Sequence, residues 1–166
     1  MISFRKDNFQ FNYRAAAIIT RTDATNTVEV LVTTESHLPF CYLPGGRVEM
    51  GEEARAALER EIWEELHKTA EVGDLLVVAE TFHPHSDGLQ GHNVELYFAV
   101  SLPSARKIYE AAAPFPGSES EPALTFFWQR PDATGDDVRS LVPLFLRDLL
   151  SKPLPSSPVH IIHREP

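Results

Sequence analysis

Gly45 to Lys68 reads GGRVEMGEEARAALEREIWEELHK, and the placement of its charges governs the reading of the whole chain. On a helix beginning at Glu52, each residue turns about 100°. Ala54, Leu58, Ile62 and Leu66 then form one stripe at steps of four, the core-facing arc of an amphipathic helix. Glu65 falls inside that arc, between Ala54 and Leu58. Glu61 sits at its edge, and Glu64 lies further round. A solvated acidic face would keep its carboxylates clear of the apolar stripe, whereas here the two overlap. Three carboxylates between Glu61 and Glu65 repel one another, and burying even one is costly without a partner. A divalent cation held by oxygen ligands supplies that compensation.

Pro44-Gly45-Gly46 and Gly51 bracket a short loop ahead of this helix. Glycine lets the backbone approach a ligand closely, and a helix N-terminus attracts anions. A diglycine by itself is more often a turn, so its fixed distance from the acidic helix is what makes it informative. From Gly46 the order is Gly, five residues, Glu52, seven residues, then Arg60-Glu61-Ile62-Trp63-Glu64-Glu65. This resembles the Nudix box of the MutT-like Nudix hydrolases, which cleave a nucleoside diphosphate linked to another moiety. Every charged residue of the pattern is in place from Gly46 to Glu65. The likeness breaks just beyond, where the family has Gly and this chain has His67. That Gly would cap the helix in the left-handed conformation, which His tolerates less well.

The resemblance implies an α/β fold, the αβα Nudix sandwich built on a mixed β-sheet. It implies Glu61, Glu64 and Glu65 as ligands of Mg²⁺, with Mn²⁺ as a substitute, and the carbonyl of Gly45 or Gly46 as a further ligand. Arg60 would orient those carboxylates through charge-assisted hydrogen bonds, and Glu52, near the helix start, would pair with Arg60. Gly45, Gly46 and Arg47 would meet the substrate, a nucleoside diphosphate-type small molecule such as a sugar-linked diphosphate or a nucleoside triphosphate. The expected catalytic set is Glu64, Glu61, Glu65, Arg60 and Glu119. Glu119 rests on its place in PFPGSESEP alone; it is preferred to Glu121, which directly precedes Pro122 and is more restricted. A homodimer is compatible with the family. A catalytically silent Nudix-fold module that binds a nucleotide or metabolite is the alternative, although a degenerate box would suit it better than this one.

The remaining sequence is that of a small globular protein. Its 166 residues, read as a single domain over 1–166, carry the box at 46–68 and a C-terminal extension at 152–166. The first ten residues, MISFRKDNFQ, lack an apolar run of signal-peptide length, and no stretch approaches the ~18 apolar residues of a membrane span. One cysteine, Cys41, excludes an internal disulfide and fits a reducing, cytoplasmic setting. A net charge of −9 argues against a nonspecific nucleic-acid binder, yet it leaves a nucleotide substrate open because a bound cation supplies local positive charge.

Strand-like runs cover Arg14 to Thr22 and Thr27 to Thr34, separated by a turn at Asp23-Ala24-Thr25-Asn26. Leu75 to Phe82 and Asn93 to Leu102 make a second pair, with a polar loop from His83 to His92 between them. Leu124 to Arg130 is a further strand, and Pro114 to Pro122 reads as a turn-rich loop. Asp136 to Leu150 looks helical, with Pro143 forcing a break or a new start. Val159 to Ile162 is a short strand in a proline-rich tail. His83, His85, His92 and Asp87 fit no established zinc spacing, so solvated or substrate-edge histidines are expected there. Phe40, Tyr42, Phe82, Tyr97, Phe127 and Trp128 could stack a base, but core packing is the expectation for most of them.

Overall fold

Asp23 turns the chain back on itself: its Oδ1 accepts the backbone N–H groups of Thr25 and Thr27, each at 2.8 Å, while Asn26 takes φ 63°. An acidic side chain that bonds the backbone two residues on is a turn former, and this one joins β3 (Thr20–Thr22) to β4 (Val28–Glu35) as expected. The computed structural model describes residues 1–84, 88–120 and 123–165. Ahead of that hairpin run β1 (Ser3–Lys6) and β2 (Phe9–Ile18). After it come β5 (Phe40–Cys41), β6 (Gly45–Arg47) and helix α1 (Ala54–Leu66). Next are β7 (Glu71–Pro84), β8 (Gln90–Ser101), the one-turn α2 (Arg106–Tyr109), β9 (Phe115–Ser120) and β10 (Ala123–Gln129). The chain closes with β11 (Ser140–Leu141), α3 (Phe145–Leu150) and β12 (Val159–Arg164).

Two larger sheets result. A mixed sheet has the order β1-β2-β8-β7-β12 with β6 also on β2; β8 runs parallel to β2 and β12 parallel to β7. An antiparallel sheet has the order β3-β4-β10-β9. Alternate residues of a strand face opposite ways, and both faces of β2 are buried. Ala15 and Ala17 join Leu58 and Ile62 of α1 in one core cluster, whereas Ala16 and Ile18 join Leu146 and Leu150 of α3 in the other. This is why the stretch RAAAII reads as a continuous apolar run rather than an alternating one. Helices on both sides of mixed β-structure make the αβα sandwich. Each fully buried Leu or Ile of these layers contributes about 1.5–3 kcal/mol.

Several sequence expectations are corrected here. The helix starts at Ala54, not Glu52, with Glu53 extended at its N-cap. Gly45 and Gly46 are not loop residues but part of β6, paired with Ala16 and Ala15. Pro114 to Pro122 is not simply a loop, because Phe115–Ser120 pairs with β10 and buries its Phe115 ring against Phe126. Residues 136–144 are not helical: α3 starts only after Pro143, and Ser140–Leu141 pairs with Phe40–Cys41 instead. The polar stretch from His83 to His92 is largely the two arms of the β7–β8 hairpin, with His83 opposite Gly91 and Phe82 opposite His92. Its members His85 and Asp87 lie outside the described residues. Val159–Arg164, within the expected extension, adds an edge strand. Among the described residues no helix is long and apolar enough to cross a membrane.

At its C-terminus α1 keeps the left-handed cap that the family's Gly would supply. His67 adopts φ 49° and ψ 43°, its N–H donates to the Trp63 carbonyl at 2.9 Å, and its ring lies 5.6 Å from that of Trp63. A residue with a Cβ is disfavoured in this region by about 1–2 kcal/mol. Part of that is offset because Gly loses more entropy on folding. His67→Gly is therefore expected to stabilise the protein by about 0.5–1 kcal/mol. A raised denaturation midpoint at unchanged m-value checks this; a lowered midpoint would show that the Trp63 contact outweighs the strain.

Candidate active site

α1 presents its carboxylates in the graded order its sequence implies. Glu65 is 4% exposed, between Ala54 and Leu58 in the core-facing arc. The Glu61 side chain is 19% exposed and that of Glu64 42%. Arg60 gathers three acidic groups. Its Nε and Nη2 donate to the two oxygens of Glu52, each at 3.0 Å. Its Nη1 donates to Glu61 Oε1 at 2.8 Å and to Glu64 Oε2 at 3.0 Å, and Nη2 also reaches the Arg47 carbonyl at 3.2 Å. A planar guanidinium with several fixed donors can hold this many acceptors, which an ammonium cannot do with the same geometry. Glu52 also accepts the Glu49 backbone N–H at 2.9 Å, which ties the pre-helix turn to the clamp.

The charges respond accordingly. The hydrogen bond from Arg60 holds the Glu52 carboxyl below the ordinary carboxylate range. Arg60 itself is pushed upward, chiefly by Glu52. Burial pushes the Glu61 carboxyl up, and Arg60 counters this only in part. Arg60 stays cationic whichever state Glu61 takes.

Gly46 is where β6 meets α1. A Cβ there would lie 2.2 Å from the Glu61 carboxylate carbon, so only glycine lets this carboxylate rest against the strand. Gly45 has φ 130°, and a Cβ on it would come within 2.3 Å of the Ala15 carbonyl oxygen. The expected metal donors are thus all hard oxygens close to backbone, a donor set that fits Mg²⁺ or Mn²⁺ in chemical type. Among the described residues, however, no group of three or more His, Cys, Asp or Glu side chains is gathered closely enough to hold a metal ion. Arg60, rather than a common centre, joins Glu61 to Glu64.

Other expected residues fall variously. The Glu119 side chain and Glu121 lie outside the described residues. Cys41 is fully buried, and burial raises its thiol to about 11, which makes it inert at neutral pH. Tyr97 is buried with its OH donating to Glu95. Phe82 lies between the His92 ring and the Arg164 guanidinium. Trp128 donates to the Ile108 carbonyl and carries Arg21 on its face. These three aromatics serve packing. Two surface hollows, one beside Leu144 and Arg147 and one beside His37 and Arg139, include no side chain of the box.

Sequence reasoning missed Arg14 and Glu95. Arg14 stands opposite Arg47 across β2 and β6, and beside Glu95 across β2 and β8. The signal was present as a period of two: Gln10, Asn12 and Arg14 alternate along β2, and Asn93 and Glu95 along β8.

Arg60→Ala is expected to weaken apparent metal affinity by about 10–100-fold through disordered glutamates, with Arg60→Lys recovering part of the loss. Metal titrations followed by turnover check this. Equal values for all three proteins would make Arg60 a surface residue without influence on the site.

The family model described as NUDIX domain matches residues 12–145. Among solved structures, the chain is similar to a MutT NUDIX hydrolase from Burkholderia pseudomallei, at 22% identity and TM-score 0.57 over 84% of this chain and 97% of that one. It is similar to a NUDIX hydrolase from Nitrosomonas europaea at 15% identity and TM-score 0.56, covering 93% and 79% respectively. An ADP-ribose pyrophosphatase from Streptococcus suis shares 14% identity at TM-score 0.52, covering 91% and 98%. At such identities the structural likeness concerns the fold. No curated protein matches the chain.

Proposed function

The chain belongs to the Nudix hydrolase family, and from that premise we propose that it is a magnesium-dependent pyrophosphohydrolase acting on a nucleoside diphosphate linked to another moiety, a sugar-linked diphosphate or a nucleoside triphosphate. The observation that carries this reading is the complete acidic set on α1, with Arg60 joining Glu52, Glu61 and Glu64 and with Gly46 seated against Glu61. Glu61, Glu64, Glu65 and the Gly45 carbonyl would hold the cation. When bound, it supplies positive charge to phosphoryl oxygens on which negative charge develops.

The chain's own residues do the rest. Glu52 fixes Arg60, and Arg60 fixes the rotamers of Glu61 and Glu64, so the acidic groups are oriented before substrate arrives. Arg47 and the Gly45–Gly46 backbone lie beside Glu61, where the diphosphate would rest. Water attacks one phosphorus, the anhydride P–O bond breaks, and the released proton passes to a carboxylate. Glu64, the more exposed of the two that Arg60 holds on α1, is open to that proton; Glu119 on β9 is the second candidate. The products are a nucleoside monophosphate and a phosphorylated remainder, or pyrophosphate from a triphosphate. A cytoplasmic setting suits the buried thiol of Cys41.

The test is a panel of nucleoside diphosphate sugars, nucleoside triphosphates and dinucleoside polyphosphates with Mg²⁺, with phosphate release coupled through a phosphatase. Release that requires the cation and stops with chelator is expected. Absence of release across the panel, with nucleotides still raising the melting temperature, would overturn catalysis in favour of the binding module.

A further inference from the structure

On the face of the mixed sheet that packs against α3, neighbouring strands change character along their length. Ala16 and Tyr97 stand side by side in the core. One step along, the neighbours are Arg14 and Glu95; one step further, Asn12 and Asn93. Glu95 is 6% exposed and its Oε2 accepts from Thr81 Oγ1 at 3.1 Å and from Tyr97 OH at 3.0 Å. Its Oε1 lies 3.8 Å from Arg14 Nε. Asn12 donates to Asn93 Oδ1 at 2.9 Å. A strand face that meets a helix is ordinarily apolar throughout, so this polar end calls for a physical reason.

The least favourable element of it is a pair of like charges. Arg14 and Arg47 are direct cross-strand partners, and like charges so placed destabilise a sheet. Arg47 Nε is buried with no hydrogen-bond partner among the described residues. Among the described residues the polar contacts of Arg14 are long, 3.4 Å to the Gly45 carbonyl and 3.8 Å to Glu95. Arg47 is on the strand that seats Glu61 and Arg14 on the strand beside it, in a chain whose net charge is −9. An anion between them would reverse the repulsion and supply the missing acceptor.

We propose that Arg14 and Arg47 form a two-arginine clamp for a phosphoryl group of the substrate, and that Glu95 is the positioning residue that holds Arg14 in it; this rests on the pyrophosphohydrolase reading above. Guanidinium forks match phosphoryl oxygens bidentately, and two of them on paired strands fix both the position and the orientation of the group beside the Gly45–Gly46 backbone. Glu95 suits its role because it is itself fixed by two hydroxyl donors, so the carboxylate facing Arg14 cannot swing away. The clamp selects for a diphosphate over an uncharged linkage, and the Asn12–Asn93 pair lies next along the same face.

Calorimetric titration with methylenediphosphonate, a diphosphate that cannot be hydrolysed, tests this in Mg²⁺. Arg14→Ala and Arg47→Ala should each weaken its binding about ten- to a hundredfold, the range of a lost charge-assisted hydrogen bond. Arg14→Lys, which keeps a charge beside Glu95 and so guards against misfolding, should recover part of the affinity. Glu95→Gln should weaken binding by a smaller factor, and adding it to Arg14→Ala should cost nothing further, since a positioning residue acts only through its partner. With a hydrolysed substrate, the same variants should raise KM more than they lower kcat, and millimolar guanidinium should restore Arg14→Ala. Wild-type affinity in Arg14→Ala, additive losses in the double variant, or no binding by the wild-type protein would each overturn the clamp. Clamp behaviour towards methylenediphosphonate with no hydrolysis of any diphosphate would instead overturn the enzymatic reading and leave the clamp standing.

Discussion

Glu65→Gln and Glu64→Gln are each expected to lower turnover roughly a thousandfold, because a cation that loses a charged ligand stabilises several kcal/mol less transition-state charge. The fold should survive both, since Gln preserves shape and polarity. Glu65 is the sterner case: it is buried in the apolar arc of α1, so a near-normal rate in Glu65→Gln would remove the reason for placing a carboxylate there. Stability should move the other way from activity. Burial raises the Glu61 carboxyl above its unfolded-state value, so the metal-free fold binds that proton more tightly than the unfolded chain. Its contribution is then fully present below the ordinary carboxylate range and is lost as pH rises through the raised value. Glu61→Gln should accordingly raise the metal-free melting temperature at neutral pH and remove that part of its pH dependence. A lowered melting temperature would mean that Arg60 repays the burial of Glu61 in full.

Gly46→Ala should abolish most activity with little loss of stability. The added Cβ meets only the Glu61 carboxylate, the far end of a flexible side chain, at 2.2–2.3 Å. Glu61 can swing aside, but doing so breaks its hydrogen bond with Arg60 and removes it from the expected metal site. Loss of its charge-assisted bonds predicts a fall of about a hundredfold or more in turnover. Gly45→Ala is the contrasting control. There the Cβ meets backbone, at the Ala15 carbonyl oxygen and the Ala16 Cα, and φ is 130°; this variant should fail to reach the native melting temperature. Circular dichroism and steady-state kinetics on both separate the two roles. Equal loss of stability in the two variants would show that Gly46 serves the strand rather than the site.

The amphipathic arc of α1 and the overlap of its acidic and apolar faces were legible in local spacing, whereas the pairing of Glu52 with Arg60 followed from the family resemblance. A helix has one period, and the position of Glu65 between Ala54 and Leu58 follows from it without knowledge of any partner. The Asp23 turn was legible for the same reason, since its hydrogen bonds close within four residues. Boundaries were less so. Phe115–Ser120 and Ser140–Leu141 carry Pro, Gly and Ser, or sit beside Pro143, and local propensity speaks against strands there; pairing with β10 and β5 overrides it. Likewise His67 holds a left-handed cap that its side chain disfavours, because the end of α1 requires a donor to the Trp63 carbonyl.

What the sequence by itself determined is the helix that carries the acidic chemistry and the family to which the chain belongs, because both reside in contiguous residues. Only the tertiary structure decided that Gly46 must be glycine, that Arg14 faces Arg47, and that Glu95 stands behind Arg14. Those contacts join residues separated by 15, 33 and 81 positions, by subtraction of their numbers. The physical reason is that register between strands is set by burial of whole faces, so no local pattern states which charged side chains a sheet will place together.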